Sequence, residues 1–451
     1  MTKLPLGFLD RTVCVIGLGY VGLTLAVTMA ELGFRVIGVE RLEILVNDLS
    51  KGRAHFYEPR LPEALTRLLI SGMLSIHSSI PTDEFPTVYI VTVGTPLDET
   101  GKIRLDMVVD AVQSVESHSP GGALVIMRST LKLGTTRNIV LPILSSNGKH
   151  FDLAFCPERT LEGQAMSELR FLPQIIGAIN HSSALRAATL FQFVTPTVVR
   201  VGEPETAEMI KMIDNTHRDI SFAFSNEIAH VCDAAGVSAV DVIRSGKLGY
   251  PRTNLYMPGP VGGPCLSKDP HILSEGLKQF GVDVEIAMVS RRVNERQPDS
   301  IAALIFELTN KFVNFPSDPK ISLLGLAFKG KPATDDLRGS TSKPIYLALK
   351  DRFPNAVFNA YDPIVSVEAI RSFGVFPVPS LAAAFDNASL VFILNNHSVF
   401  EDMPLADLVN TMARPSLVYD LWNNFSAIDL QLPPGVGYAG LGNLVQSILP
   451  K

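Results

Sequence analysis

The segment Val13-Cys14-Val15-Ile16-Gly17-Leu18-Gly19-Tyr20-Val21-Gly22 decides the fold of the first part of the chain. A short β-branched run meets a G-x-G-x-x-G motif, and the motif opens a helical segment, 23–32. In this context the first glycine permits a tight turn, the second lets backbone amides approach a pyrophosphate, and the third allows close packing of helix on strand. The amino end of the helix also favours phosphate charge. The pattern predicts a dinucleotide site that includes Gly17, Gly19, Tyr20, Val21 and Gly22.

Glu40 stands at the end of the second predicted strand, 23 positions after Gly17. A carboxylate there can accept both ribose hydroxyls and repel a 2′-phosphate, which favours NAD over NADP. Two alternatives stay open, because the adjacent Arg41 could accommodate that phosphate and Glu40 could be a solvated acid. Thr95 and Thr130 also follow predicted strands, at the sheet edge where ligands collect, although either could be an ordinary turn residue.

Strand-like runs alternate with helical segments at both ends of the chain. The first set is 13–16, 36–39, 88–93 and 123–127, and the second is 321–328, 357–361, 390–394 and 417–419. Crossover-length segments separate the runs, so each set predicts a parallel sheet covered on both faces. We therefore expect an α/β fold with domains at 1–201, 202–315 and 316–451. The third is smaller and lacks its own G-x-G-x-x-G motif.

One long helix is predicted in the middle part. No Gly or Pro occurs from 205 to 235, and apolar residues recur there at helical spacing, namely Ile210, Ile213, Ile220, Phe224, Ile228 and Val231. At 1.5 Å per residue the helix would be about 45 Å long. Because it bears more apolar surface than one small domain needs, we expect it to connect two domains or to pack on a second subunit, and we favour a homodimer.

Composition is that of a globular protein. With 451 residues, 46% hydrophobic and 19% charged, the chain favours several domains, and neither disorder nor a membrane-spanning segment. The net charge of −6 argues against nucleic acid as the main partner.

The four cysteines show no C-x-x-C pairing, so we expect the reduced thiols of a cytoplasmic protein, no disulfide framework and no metal site. Cys14 and Cys232 lie in apolar segments and should be buried, whereas Cys156 and Cys265 are candidates for chemistry.

The segment Gly262-Gly263-Pro264-Cys265-Leu266-Ser267-Lys268-Asp269 places a thiol beside a cation and a carboxylate. Its Gly-Gly-Pro start predicts a shaped turn and Lys268 could favour the thiolate, although an inert core thiol is the usual alternative. Asp269 could activate water or cap a helix beginning near Pro270. Beside a dinucleotide site, such a thiol permits two oxidations at one carbon. Its adduct with an aldehyde can lose a hydride, and water cleaves the resulting thioester to an acid.

Two further polar pairs are candidates for the same chemistry. Lys211 and Asn215 are four apart on the long helix, on a face distinct from its apolar stripe, and could stabilise an alkoxide or an oxyanion. Glu158 and Glu162 are four apart in a loop after a strand, and one could hold a hydrolytic water. A solvated helix face and surface acids are the respective alternatives.

Together these motifs resemble the UDP-glucose and GDP-mannose dehydrogenase family over nearly the whole chain. The resemblance rests on an ordered set of segments: 17–22, Thr95-Pro96, Ser129-Thr130, Pro157-Glu158, Lys211 with Asn215, 263–269, Gly325-Leu326-Ala327-Phe328-Lys329 and Asp335-Asp336-Leu337-Arg338. It implies two Rossmann-like doubly wound parallel-sheet domains joined by a central helical domain. The first would bind NAD, the central one would form the dimer, and the third would bind the nucleotide of a UDP-sugar. It also implies oxidation of a sugar 6-hydroxymethyl group to a carboxylate with two NAD consumed.

The resemblance further implies residue roles. Cys265 would be the nucleophile, and Lys211 and Asn215 the oxyanion stabilisers, in contact with substrate. Asp269, Thr130 and Glu162 would place and activate water, the last two also near the cofactor. The remaining ligands of substrate or cofactor would be Glu158, Arg159, Gly262, Lys329, Arg338 and Arg252, the last reaching a neighbouring subunit's site although its spacing to Cys265 departs from the family pattern.

Within the family the sequence points to two classes of substrate. Several short segments resemble the branch acting on UDP-N-acetylmannosamine or UDP-N-acetylglucosamine, namely Pro157-Glu158-Arg159, Gly163, Glu168-Leu169 and Leu172-Pro173-Gln174. This resemblance implies surface polysaccharide biosynthesis as the setting. Lys268-Asp269 instead has the UDP-glucose form, and Pro264 and Glu40 depart from the family pattern. We expect a UDP-N-acetylhexosamine, with UDP-glucose as the alternative.

Two other functions stay open. A two-electron hydroxyacid dehydrogenase of the 6-phosphogluconate type also joins a dinucleotide domain to long helices, and it needs no thiol. An inactive nucleotide-sugar-binding protein would keep only the fold. The joint presence of Lys211, Asn215, Cys265 and Asp269 argues against the second.

Overall fold

The computed structural model describes residues 4–5 and 7–450. They belong to two compact units, one formed by Met1–Asn215 with Lys268–Val284 and the other by Thr216–Ser267 with Glu285–Lys451. Each unit contains one sheet.

The strands of the first unit are β1 (Thr12–Ile16), β2 (Arg35–Val39), β3 (Leu74–His77), β4 (Val88–Val91), β5 (Leu124–Met127), β6 (Asp152–Phe155), β7 (Gln174–Ala178) and β8 (Val198–Arg200). Those of the second unit are β9 (Lys320–Leu324), β10 (Val357–Tyr361), β11 (Phe376–Pro377), β12 (Leu390–Ile393), β13 (Ser416–Asp420) and β14 (Val436–Gly440). The sheet orders are β3-β2-β1-β4-β5-β6-β7-β8 and β11-β10-β9-β12-β13-β14. Paired strands are parallel except β6 and β7.

The α-helices that precede β9 in the chain are α1 (Tyr20–Glu31), α2 (Glu43–Ser50), α3 (Leu61–Ile70), α4 (Asp106–His118), α5 (Leu141–Leu144), α6 (Ala165–Glu168), α7 (His181–Phe191), α8 (Pro204–Ala235), α9 (Ala239–Lys247), α10 (Asp269–Lys278) and α11 (Glu285–Thr309). Five further helices occur between strands β9 and β13 of the second sheet, namely α12 (Ser342–Arg352), α13 (Val367–Phe373), α14 (Leu381–Phe385), α15 (Ser398–Glu401) and α16 (Leu405–Leu408). The expected fold class, two doubly wound parallel sheets with a central helical region and one long helix, is confirmed.

Alternation along β1 shows why the first sheet is covered on both faces. Val13 and Val15 belong to one buried cluster, whereas Cys14 and Ile16 belong to another on the opposite face. Cys14 is fully buried, as predicted, and Cys232 is also buried. In sheets of this order, ligands bind beyond the carboxyl ends of the strands where the strand order reverses. In the first unit that point lies between β1 and β4.

The second sheet corrects one predicted strand. The run 321–328 was expected to be extended throughout, but β9 ends at Leu324. Gly325 has a φ of +84°, a left-handed conformation that turns the chain out of the sheet. Lys329 consequently lies in a loop beyond the strand.

Helix α8 confirms the long helix, and its predicted apolar stripe is only partly covered. On the predicted apolar stripe, Ile213, Phe224 and Val231 are 50%, 53% and 57% exposed. A polar stripe is buried instead, with no member more than 9% exposed, and it comprises Glu208, Lys211, Asn215, Asp219 and Asn226. These residues recur at intervals of three, four and seven, so they share one face of the helix. Lys211 and Asn215 therefore do not lie on a solvated face, which was the alternative for this pair.

Candidate active site

The glycine turn after β1 has the geometry that a dinucleotide requires. Gly17 has a φ of +91°, and a Cβ placed on Gly22 would lie 1.9 Å from the carbonyl oxygen of Gly17. Any side chain at Gly22 would therefore force α1 away from the turn. A Cβ on Gly19 would meet nothing within 4 Å, so this side of the turn is open to a pyrophosphate. No side chain of the described residues caps the amino end of α1, where Val21 occupies the first turn.

Glu40 lies beside this turn and is 8% exposed, so it is not a solvated acid. Its carboxylate accepts hydrogen bonds from the backbone N–H of Leu18 and of Leu42, both at 3.1 Å. These bonds hold the carboxylate at the end of β2, where it can accept ribose hydroxyls. Arg41 is exposed. The residues present thus fit NAD.

Tyr20 connects the glycine turn to the loop that carries Glu162. Its hydroxyl donates to the buried carboxylate of Glu58, and burial followed by this bond raises the pKa of Tyr20, so the hydroxyl keeps its proton. The N–H of Gly163 donates to the Tyr20 oxygen at 2.6 Å and to Glu58 at 2.8 Å. The Glu58 carboxylate also accepts from the N–H of Met166 at 3.1 Å. Sequence reasoning missed Glu58, whose partner lies 105 positions away.

Thr95 and Thr130 come together at the carboxyl edge of the sheet. The hydroxyl of Thr95 donates to the carbonyl of Thr130 at 2.8 Å. Lys268 Nζ lies 3.5 Å from the carbonyl oxygen of Thr95 and 3.5 Å from Oδ1 of Asp269. The two threonines predicted separately are therefore one structural feature.

Three successive carbonyls after β6 each accept a hydrogen bond from a different element. Arg128, just beyond β5, donates to Cys156 at 3.1 Å, and Gln174 of β7 donates to Pro157 at 3.2 Å. Lys211 of α8 donates to the carbonyl of Glu158. These bonds fix both the backbone of the loop and the position of the Lys211 ammonium. Arg128 was missed, although a charged residue directly after the apolar run of β5 is a visible signal. Gln174 was noted only as part of the pattern that distinguishes substrate branches, and its contact with Pro157 was not predicted.

Glu158 and Arg128 form an ion pair closed to solvent. The guanidinium Nη2 lies 2.7 Å from Oε2 of Glu158, and the two side chains are 8% and 2% exposed. Burial alone would raise the pKa of Glu158, but Arg128 and then Lys211 outweigh it and lower that pKa to about 2. Glu158 is therefore an ionised carboxylate beside Lys211 and not a surface acid.

Cys156 is ruled out as a reactive thiol. It is fully buried, and burial raises its pKa to about 12 even though the nearby Arg128 opposes the shift. The candidate role given to it from its loop context was wrong. That context correctly indicated a loop but said nothing about burial.

Asn215 and Asp269 meet between α8 and α10. The amide Nδ2 of Asn215 donates to Oδ2 of Asp269 at 2.6 Å, and Asp269 is 0% exposed. The contact is supported by an apolar cluster that includes Met212, Ile272 and Leu273. Asp269 is the first residue of α10 rather than its cap, so the capping alternative was wrong.

Glu208 ties the segment after Thr130 to α8. Its fully buried carboxylate accepts from the N–H of Gly134 at 2.6 Å and from the N–H and hydroxyl of Thr136 at 2.9 and 2.6 Å. Burial raises the pKa of Glu208 to about 7, against the lowering effect of these hydrogen bonds. Sequence reasoning missed Glu208, although it stands three residues before Lys211 on the same helix face.

The other two predicted residues of this loop lie nearer the surface. Glu162 is half-buried. Arg159 is 29% exposed, and its guanidinium lies 3.6 Å from Oδ2 of Asp214. The first unit thus holds Thr95, Thr130, Glu158, Arg159, Glu162, Lys211, Asn215 and Asp269.

Cys265 belongs to the second unit and is exposed, not a core thiol. The glycine pair before it is required by close packing on the segment after β9. A Cβ on Gly262 would lie 2.3 Å from the carbonyl oxygen of Gly339, and one on Gly263, whose φ is +97°, would lie 2.6 Å from the Phe328 ring. The N–H of Gly263 also donates to the Gly339 carbonyl at 2.8 Å. The shaped turn predicted from Gly-Gly-Pro is present.

Lys329 and Arg338 lie in that same segment of the second unit. Lys329 Nζ is 5.4 Å from the centroid of the Phe328 ring, and Arg338 pairs with Asp336 at 2.6 Å. Arg252 is exposed and lies over the Tyr250 ring at 4.6 Å. Asp362, which was not predicted, follows β10 as Glu40 follows β2, and its Oδ2 accepts from the N–H of Leu326 and of Ala327.

Within residues 4–5 and 7–450, no group of three or more His, Cys, Asp or Glu side chains is arranged to hold a metal ion. None of the helices described there is long and apolar enough to span a membrane.

Family models match three consecutive parts of the chain. They are the NAD binding domain (residues 11–195), the central domain (205–296) and the UDP binding domain (322–427) of the UDP-glucose/GDP-mannose dehydrogenase family.

Among curated relatives, the UDP-N-acetyl-D-mannosamine dehydrogenase of Methanococcus vannielii is 32% identical over 92% of this chain and 93% of its own. That of Pyrococcus horikoshii is 31% identical over 95% and 99%.

Solved structures of similar proteins share the architecture. The UDP-N-acetylmannosamine dehydrogenase of Pyrococcus horikoshii matches with a TM-score of 0.85 at 30% identity, over 96% of this chain and all of that one. A UDP-glucose dehydrogenase of Pyrobaculum islandicum matches with a TM-score of 0.83 at 27% identity, over 97% and 99%.

Proposed function

Because the chain belongs to the UDP-glucose/GDP-mannose dehydrogenase family of NAD-dependent oxidoreductases, we propose that it oxidises the 6-hydroxymethyl group of a UDP-N-acetylhexosamine to a carboxylate. The reaction removes four electrons in two steps at one carbon. Bound NAD⁺ supplies a hydride acceptor for each step.

In this scheme the alcohol first loses a proton and a hydride and becomes an aldehyde. The thiolate of Cys265 then adds to the aldehyde carbon, forming a C–S bond and an alkoxide, and protonation gives a thiohemiacetal. Loss of a second hydride and a proton yields a thioester. Water then attacks the thioester carbon, the C–S bond breaks, and the acid and the Cys265 thiol are released.

The buried donors of the first unit fit the charges that develop in these steps. Lys211 and Asn215 would stabilise the alkoxide and the oxyanion of thioester hydrolysis. Lys211 uses one of its three N–H donors for the Glu158 carbonyl, and Asn215 uses one of its two for Asp269. Each side chain therefore keeps at least one further N–H that could donate to the substrate. Asp269, Thr130 and Glu162 would place the attacking water, with Asp269 as the base.

The observation that carries the proposal is the polar stripe of α8. An ammonium and an amide are held out of solvent, each by a named partner, on a face where helices usually bury apolar residues. Such an arrangement costs stability, and a role in charge stabilisation accounts for it.

Two observations bear on the substrate. The curated relatives named above are UDP-N-acetyl-D-mannosamine dehydrogenases, so this sugar is our first choice. The Lys268-Asp269 pair and the similarity to a UDP-glucose dehydrogenase favour UDP-glucose as the alternative. Glu158, Arg159, Gly262, Lys329, Arg338 and Arg252 are proposed as substrate ligands. A uronic acid product would serve surface polysaccharide biosynthesis.

Assembly and organisation remain proposals. The half-exposed apolar stripe of α8 is suited to a second copy of the chain, which supports a homodimer. We also propose three domains, at 1–201, 202–315 and 316–451. Each of the three family-model matches lies inside one of these domains, which supports the proposed boundaries. A cytoplasmic location agrees with four cysteines outside disulfides.

A substrate panel tests the proposal. Purified protein is incubated with UDP-hexoses and UDP-N-acetylhexosamines, with NAD⁺ or NADP⁺, and reduced cofactor is followed by absorbance. We expect the highest kcat/KM with a UDP-N-acetylhexosamine and NAD⁺. A preference for UDP-glucose would favour the alternative, and binding of UDP-sugar and NAD⁺ without any reduction would establish an inactive binding protein.

A further inference from the structure

The loop that carries Cys265 has no regular secondary structure between residues 253 and 262, yet much of it is buried. Pro258, Gly259 and Leu266 are buried, whereas Cys265 itself is exposed. An exposed thiol on an irregular loop needs a rigid support if it is to meet one carbon atom. Covalent attack requires the reacting atoms about 3–3.5 Å apart with their orbitals aligned.

A buried ion pair supports the loop directly after Cys265. Arg291 of α11 lies 2.6 Å from Oδ1 of Asp219 of α8, and the two side chains are 3% and 0% exposed. The same Nη1 atom of Arg291 donates to the carbonyl of Leu266 at 3.0 Å. The guanidinium therefore holds the carbonyl of Leu266, the residue that follows the thiol-bearing Cys265.

The same network reaches the start of the loop through two amides. Asn294 donates to Oδ1 and to the carbonyl of Asp219 at 2.9 and 3.0 Å. Asn226 donates to Oδ1 of Asn294 at 3.1 Å and accepts from the N–H of Gly259 at 2.9 Å. One continuous chain of buried polar groups thus joins Gly259 to Leu266.

Helical spacing makes this chain possible. Asp219 and Asn226 are seven apart on α8, and Arg291 and Asn294 are three apart on α11, so each pair shares one helix face. All four side chains are at most 3% exposed. Buried ion pairs seldom add stability over apolar residues of similar volume, so stability is a weak explanation for the network. The network contacts the Cys265 loop at Gly259 and at Leu266, so positioning of this loop is a better explanation for it.

We propose that Arg291, Asp219, Asn294 and Asn226 are positioning residues that fix the Cys265 thiol for attack. This inference rests on the proposed function, because it assigns these residues to the thiol step. A displacement of about 1 Å at a reacting atom can lower a rate about 10²-fold. Loosening the network should therefore lower kcat and leave KM for the UDP-sugar nearly unchanged.

Two variants and one matched control test the proposal in the full-length protein. Arg291→Lys keeps the charge but replaces the planar guanidinium, whose Nη1 donates to both Asp219 and Leu266, with an ammonium of different shape. Asn226→Ala removes only a neutral amide, and it decides the test if Arg291→Lys does not fold. The exposed neighbour Arg292→Lys is the control.

The first measurement is steady-state kinetics of acid formation. We expect kcat to fall about 10²-fold in Arg291→Lys and at least about tenfold in Asn226→Ala, with KM within about threefold and the control unchanged. The second measurement is independent of turnover. A nitroxide spin label on Cys265, the exposed one of the four cysteines, should be immobile in wild type and control and mobile in both variants.

The proposal is supported only if the variants show both a lower kcat and a mobile spin label. Wild-type kcat in folded variants would overturn the positioning role, and so would a lower kcat with an immobile label. Cys265→Ala separates this inference from the proposed function. If that variant still forms acid, the proposed function has failed. If it loses acid formation while Arg291→Lys and Asn226→Ala retain wild-type kcat, only the positioning role has failed.

Discussion

Asn215 of α8 donates a hydrogen bond of 2.6 Å from Nδ2 to Oδ2 of Asp269 at the start of α10. The bond keeps a carboxylate that is 0% exposed next to the amide proposed to stabilise the oxyanion. Asp269→Asn preserves the size of the side chain but removes its charge and its capacity to take a proton. We expect turnover to fall at least about 10²-fold while NAD affinity changes less than about twofold. Steady-state kinetics and calorimetric titration measure the two quantities, with the exposed Asp283→Asn as control. Equal turnover in both variants would remove Asp269 from the reaction.

Lys211→Ala removes the ammonium bound to the Glu158 carbonyl. Loss of one preorganised donor to a developing negative charge typically lowers kcat about 10²–10³-fold. We expect a loss of this size with little change in the affinity for NAD or UDP-sugar, and none in the exposed control Lys278→Ala. Weaker nucleotide binding at normal turnover would show instead that Lys211 serves binding alone.

Arg128→Met leaves the Glu158 carboxylate buried without its cation. Breaking a buried pair in this way should lower the free energy of unfolding by about 3–5 kcal/mol, measured by urea denaturation. The double variant Arg128→Met/Glu158→Gln should recover part of the loss. Strict additivity of the two single variants would contradict the pairing.

The pair also predicts acid sensitivity. Because Arg128 and Lys211 lower the pKa of Glu158 from 4.5 to about 2, its contribution to stability is complete above pH 4.5 and is lost as the pH falls towards 2. In Arg128→Met this part of the pH dependence should be smaller.

Glu208 predicts a pH dependence of the opposite sign. Burial raises its pKa from 4.5 to about 7, so between these values the folded protein holds a proton that the unfolded chain has released. Stability due to this group therefore falls as the pH rises from 4.5 to about 7. At about 1.4 kcal/mol per pKa unit, the fall is on the order of 3 kcal/mol. Unfolding measured at several pH values should show this slope in wild type and in the exposed control Glu227→Gln, and not in Glu208→Gln. Parallel curves for all three proteins would refute the shift.

The sequence was most informative where function depends on local backbone geometry. The positive φ of Gly17 and the close packing of Gly22 follow from a motif of six residues. The spacing of Lys211 and Asn215 likewise predicted a shared helix face. Such features are set by neighbours in the chain, so a sequence pattern can express them.

The burial of individual side chains, and hydrogen bonds between residues far apart in the sequence, could not be predicted from local sequence patterns. Periodicity locates the apolar stripe of α8 but not what covers it, and the sequence could not decide whether Lys211 is buried or lies on a solvated face. Arg128 and Glu208 find their partners 30 and 72 positions away, where no local pattern connects them. Cys156 looked like Cys265 because both stand in loops, and only the fold distinguishes a sealed thiol from an exposed one.

The central claim is that Cys265 carries the substrate carbon through two oxidations. The direct test is the ratio of NADH formed to UDP-sugar consumed, measured at completion with product analysis, for wild type and Cys265→Ala. We expect two NADH and one uronic acid per UDP-sugar for wild type, and no net acid from Cys265→Ala, which should still bind NAD and UDP-sugar. One NADH per sugar, or undiminished acid formation by Cys265→Ala, would contradict it.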